Sequence, residues 1–180
     1  MSVPVDYIQR LPLEVDVPEG KKLLLASTEI REGWTNYLEI HNDNWPVSHN
    51  FVGEMEIGPA ICQFGFYLGR IMTNAWNSLK DGGIFRISAP YYTSSLYTRN
   101  PKNILPITED TFGFYSVPWC YANKEALQGK CDFDILSVVF DYEGDYQDKS
   151  EAAKSYARRH YNNVVKGIKI VLKAVKPERG

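Results

Sequence analysis

The stretch from Trp76 to Tyr92, WNSLKDGGIFRISAPYY, constrains this chain more than any other, because it reads as a helix end, a tight turn and a buried strand in succession. Upstream, Leu68, Ile71, Met72, Ala75, Trp76 and Leu79 recur at helical spacing, which predicts a helix with one face to bury. Asp81-Gly82-Gly83 is expected to end it, since glycine takes a left-handed turn without steric cost. A strand carrying Ile84, Phe85 and Ile87 follows at once, and Pro90 closes it because proline cannot donate to a sheet ladder. A helix running into a strand in this way is the repeating unit of an α/β fold.

Length suits one domain, and 44% hydrophobic residues with 13% aromatics suffice for a substantial core. The expected organisation is an extended arm over residues 1–20, punctuated by Pro4, Pro12 and Pro18, and a single domain over 21–180. The arm either packs on its own domain or is exchanged with a partner chain. A formal net charge of -2 gives no electrostatic case for a nucleic-acid partner. Cys62, Cys120 and Cys131 have no metal or disulfide spacing and read as buried, reduced thiols. His41, His49 and His160 lack ligand spacing, so no metal is expected, and no serine sits in a nucleophile-elbow setting. Without a signal-peptide pattern or a stretch of membrane-spanning length, a cytoplasmic protein is expected.

The segment LKDGGIFRISAPYYTS resembles the VLKPGGxLRISVPxYTS signature of class I S-adenosylmethionine-dependent methyltransferases, in particular the type 11 group. That resemblance implies a Rossmann-like fold, a mostly parallel sheet with an antiparallel last strand. It then directs attention to what has changed. Lys21 to Thr28 matches the first strand, expected to be fully covered, and the glycines with which the family admits its cofactor are replaced by Ala26 and Thr28 around Ser27. Glu32 to Leu38 resembles the second strand, with Leu38 where the family has the acid that binds ribose. Glu39, one residue on, faces the opposite side of a strand. Asn50 to Met55 resembles the third strand, with Glu54 at the acidic position near the adenine, and the span to Gly82 is short enough to predict trimming around the fourth strand.

Beyond Pro90 the similarity continues through Tyr91, Tyr92, Thr93 and Ser94 and from Asn100 to Thr108, yet Tyr91 and Asn103 stand where the family has histidines. Thr108 to Phe114 reads as a helix start. Tyr91, Tyr92, Tyr97, Phe112, Phe114, Tyr115 and Trp119 form an aromatic cluster that is either an acceptor or partner surface or a small satellite core. Phe133 to Tyr142 is expected to be covered on both faces. Ile168 to Val175, with its lysines, is expected to form an edge strand antiparallel to it. Between them, Asp148 and Glu151 suggest a capping box opening a helix with an apolar face of Ala152, Ala153, Tyr156, Ala157 and Tyr161, and with Arg158 and Arg159 in solvent.

Four departures coincide: Ala26 and Thr28, Leu38, Asn103 and the short 54–82 span. The expectation is therefore a non-catalytic interaction or structural subunit that binds no cofactor and engages a protein partner or a second copy, with the 1–20 arm as one candidate route. The alternative is an active methyltransferase that binds S-adenosylmethionine through Ala26, Ser27, Thr28, Glu39 and Glu54 and its acceptor near Tyr91, Tyr92, Thr93 and Asn103.

Overall fold

Alternation of apolar and polar residues along the strands decides how this chain is layered. The structure, a computed structural model, describes residues 16–37, 52–177 and 179. In chain order its elements are β1 (Lys21–Leu25), β2 (Trp34–Tyr37), β3 (Val52–Ile57), α1 (Leu68–Ser78), β4 (Leu79–Pro90), α2 (Ser95–Thr98), α3 (Val117–Asn123), β5 (Phe133–Tyr142), α4 (Gly144–Gln147), α5 (Glu151–His160) and β6 (Val165–Ala174). The strands form one sheet in the order β2-β1-β3-β4-β6-β5. The β1–β2, β1–β3 and β3–β4 pairs are parallel, and β6 runs antiparallel to both β4 and β5.

Reading the register across the sheet separates two faces. One row holds Leu23, Met55, Phe85, Leu172 and Ile135, and the next Leu25, Ile57, Ile87, Ile170 and Val138. These side chains belong to the core, with Leu68, Ile71, Met72 and Ala75 of α1. The opposite face carries the row Trp34, Lys22, Glu54, Ile84, Lys173 and Asp134, then Asn36, Leu24, Glu56, Arg86, Val171 and Ser137. Glu54 is buried between Arg86 (Nε to Oε1, 2.7 Å) and Lys22 (Nζ to Oε2, 3.4 Å), and Lys173 pairs with Asp134 at 3.3 Å. Arg179 adds bonds to Asp134 (2.8 Å) and to buried Asp132 (2.6 Å). Burial pushes the Asp132 carboxyl up, but Arg179 and the Val117 N–H outweigh it and hold the group below the usual carboxylate range.

Several expectations are corrected here. The lysines of the last strand mark the second face, not an edge: β6 is interior, and β5, expected to be covered on both faces, is the edge. Only Leu23, Leu24 and Leu25 of β1 are buried. In a doubly wound sheet the third strand lies outside the second and the fourth beside the first. Val52–Ile57 sits beside β1, so it fills the fourth place, and among the described residues the outer third place holds no strand. Parallel strands look alike in sequence, and lateral order is settled only by pairing.

Helix α1 ends at Ser78, before the glycines, and its last carbonyls are met by the Leu79 N–H and by Lys176 Nζ, which donates to Asn77 O at 3.3 Å and Leu79 O at 2.6 Å. Gly82, at φ +74°, instead forms an irregularity inside β4. Residues 108–111 form a turn held by Thr111 Oγ1, which accepts from the Thr108 N–H at 2.8 Å, rather than a helix. The cap of α5 is Ser150, whose Oγ accepts from Ala153, and not Asp148. That helix buries Ala157 and Arg158 while Ala152, Ala153 and Tyr156 are exposed. Of the 1–20 arm, residues 1–15 lie outside the described residues. Pro18 and Glu19 pack near β3 and β4, where Lys80 donates to the Glu19 carbonyl.

Candidate functional site

From β1 the chain moves to β2 on one side, and β3 lies on the other. Such a reversal opens a crevice beyond the carboxyl ends of the strands, where open α/β sheets hold their ligands. Here a hollow of about 200 Å³ lies at that point, lined by Leu25, Ala26, Ser27, Glu29, Glu56 and Ser88 among others.

The first crossover shapes it. Parallel neighbours are ordinarily joined by about a dozen residues or more, usually a helix, but β1 and β2 are joined by residues 26–33 with none. Ala26 takes φ +49°, the left-handed conformation that glycine adopts freely and alanine at a cost. Ser27 Oγ then accepts from the Glu29 N–H at 3.1 Å, and Asn36 Nδ2 donates to the Glu29 carbonyl. Arg31 closes the loop onto the sheet. Its Nη1 donates to Glu56 Oε2 at 2.9 Å and its Nη2 to Glu29 Oε1 at 3.1 Å, so both lining carboxylates share one guanidinium. Hydrogen bonds donated to Glu56, working against desolvation, raise the Arg31 pKa, and its guanidinium lies 4.9 Å from the Trp34 ring centroid.

The expected cofactor residues are thus dispersed. Ala26 and Ser27 line the hollow, Thr28 is exposed and outside its lining, and Glu54 is held deeper in β3 by Arg86 and Lys22. Leu38 and Glu39 lie outside the described residues. The acids that do reach the hollow are Glu29 and Glu56, with Arg31 between them, and the spacing of Glu54 and Glu56 on one strand face was the available signal.

The expected acceptor residues are tied into structure. Tyr91 is buried, and its hydroxyl donates to Glu109 Oε2 at 2.8 Å; burial first, then the Glu109 charge, pushes its pKa up. Glu109 pairs with Arg158 at 3.3 Å. Arg158, expected in solvent, is buried: it donates to the Tyr142 hydroxyl at 3.1 Å and lies 4.0 Å from the Phe140 ring centroid. The apolar surroundings of these aromatics draw in a long side chain whose charge is matched locally. Tyr92 is 41% exposed and sets its ring edge to face on Tyr91 at 4.9 Å. The Thr93 carbonyl accepts from Asn163, and Asn103 Nδ2 donates to the Tyr97 carbonyl at 2.9 Å. Phe112 and Tyr115 belong to the core, and Phe114 packs on Trp119 at 5.0 Å, so most of the aromatic cluster serves packing.

Cys62, Cys120 and Cys131 are free and buried, and burial pushes the Cys62 thiol up to about 11. No group of three acidic, histidine or cysteine residues suited to a metal occurs among the described residues. Nor is any helix among them long and apolar enough to cross a membrane.

Neither family models nor curated proteins give a match to this sequence. Solved structures do. A methyltransferase in complex with the Haloferax volcanii Trm112 methyltransferase activator is similar over 97% of this chain and 89% of its own, at 12% identity and a TM-score of 0.53. A SAM-dependent methyltransferase from Thermotoga maritima follows at 16% identity, 89% and 84% coverage and a TM-score of 0.49. Another from Archaeoglobus fulgidus has 13% identity and a TM-score of 0.45, with 71% of this chain spanning 61% of that one. Such likeness concerns architecture, and with the sheet order above it shows that the chain carries the fold of class I S-adenosylmethionine-dependent methyltransferases.

Proposed function

We propose that this protein is a methyltransferase-fold subunit that no longer binds S-adenosylmethionine and acts by engaging a protein partner. The observation that carries the reading is the first crossover: residues 26–33 make no helix, and Arg31 ties together Glu29 and Glu56, the two carboxylates that line the hollow. A doubly wound fold presents a nucleotide with a glycine turn and the amino end of the following helix, and both parts are missing from this crossover. Size points the same way. Sites that enclose a drug-sized ligand run to about 300–1,000 Å³, against about 200 Å³ here. The residues present therefore do not fit the cofactor. Methyl transfer asks little of a protein except that it hold the donor and align an acceptor, so losing the donor site removes the activity.

The Haloferax neighbour, a methyltransferase held by an activator protein, lends support to a fold used in partnership. The rival reading, an active enzyme, has one feature in its favour: the switch-point hollow persists and Ala26 keeps the left-handed turn. Isothermal titration calorimetry of the full chain with S-adenosylmethionine separates the two. No heat of binding at millimolar ligand is expected, and one-to-one binding in the micromolar range defeats the proposal in favour of the enzyme.

A further inference from the structure

A second hollow, of about 210 Å³, lies on the mixed face of the sheet, where β3, β4 and β5 end and β6 begins. It shares Pro59 and Ser88 with the first hollow. Register places Pro90, Gly167 and Asp141 side by side across three strands, and Ser88, Lys169 and Val139 in the row before. Gly167, which carries no side chain, lines the floor between Pro90 and Asp141. Leu96 of α2 contributes apolar wall to the hollow, and Lys166 and Lys169 also line it. Val139, opposite Lys169, is 37% exposed.

Space, surface and charge together select an occupant. An apolar cavity of about 150 Å³ holds a benzene molecule, so this hollow has room for one aromatic ring with a little to spare. It is below the range of sites that enclose a whole ligand, which suits a single anchoring side chain on a larger body. Interfaces are fixed by such aromatic anchors in pockets. The lining carries two lysines against Asp141; Lys169 is exposed, and among the described residues Lys166 pairs with Glu143 at 3.8 Å.

We infer that this hollow is a docking site for a partner protein segment that inserts one aromatic side chain and places an adjacent carboxylate on Lys169. The inference extends the non-catalytic reading by naming where and by what the partner is held, and the residues it relies on, Leu96, Gly167 and Lys169, do not line the switch-point hollow. S-Adenosylmethionine calorimetry reads one hollow and the following experiment reads the other, so either can fail alone.

The probes are acetylated, amidated peptides of sequence Gly-Glu-Phe-Asp-Gly, with variants carrying alanine at the anchor or lysine in place of both acids. Binding is followed by amide shifts in ¹H–¹⁵N spectra of the full chain. The parent peptide is expected to shift Leu96, Gly167, Ile168 and Lys169 and to bind about fivefold or more tightly than either variant, the scale of one apolar anchor or one charge pair. Lys169→Glu, a surface change with no bearing on the core, is expected to reverse the preference toward the lysine peptide. Leu96→Trp is expected to fill the hollow and abolish the shifts. Absence of shifts at these amides at millimolar peptide, or equal affinity for the acidic and basic peptides, overturns the inference.

Discussion

The two faces of one sheet have been built to different rules. On the first, every crossing row is aliphatic or aromatic from β1 to β5, and α1 packs against it. On the second, charges alternate in sign from strand to strand, with Lys22, Glu54 and Arg86 linked at one end and Lys173, Asp134 and Arg179 at the other. The first face is the clustered apolar core, whose close packing resists change, while the second buries Leu24, Ile84 and Val171 among its charges. Those charges form pairs whose worth depends on how much water they exclude. Selection on a fold can therefore keep the first while the surface that faces ligands drifts, and here both hollows open among residues of the second face or its strand ends.

The sharpest way to break this contrast is to delete matter from the apolar face. Phe85 is fully buried at the middle of β4, so Phe85→Ala is expected to cost about 3–5 kcal/mol, as cavity-forming aromatic truncations do. Urea unfolding measures it, and a loss comparable with that of second-face variants would remove the distinction. The next effect belongs to the charged face. Glu54→Ala leaves Arg86 without its closest partner and is expected to cost about 1–3 kcal/mol. The double change Glu54→Leu with Arg86→Met is expected to be near neutral, because apolar neighbours of similar size replace a part-buried pair without penalty. If the double variant were as unstable as the single one, the pair would matter for more than its own charge balance.

The smallest effect tests the strand exit. Ala26→Gly relieves a left-handed alanine at φ +49° and is expected to stabilise by about 0.5–1 kcal/mol after the added freedom of the unfolded chain is counted. The same variant is expected to remain silent toward S-adenosylmethionine, since the crossover still lacks its helix. Recovered binding would assign the loss to that one side chain.

Much of this molecule was legible in the sequence. The period of Leu68, Ile71, Met72 and Ala75 placed α1, and the apolar run before Pro90 placed β4, because burial imposes those repeats directly. The antiparallel pairing of the last two strands was also expected and is present. What misled were residues whose meaning depends on a neighbour. The lysines of β6 alternate as on any half-polar face, and nothing local separates such a strand in the interior of a sheet from one at its edge. Arg158 read as solvated because charge on a helix usually is, yet Phe140 and Tyr142 from another strand surround it. Glu54 follows from a motif, yet a shift of two along the strand decides which carboxylate reaches the hollow, and it is Glu56.

By itself, then, the sequence determined the α/β alternation, the central helix and strand, and a first-strand exit made of Ala26, Ser27 and Thr28, since each is written in local spacing or in residue type. Tertiary structure alone decided the place of Val52–Ile57 beside β1, the bridging of Glu29 and Glu56 by Arg31, and the hollow that Gly167 lines. Those are contacts between segments far apart in the chain, and their energy depends on which strands become neighbours, a choice that no single stretch encodes.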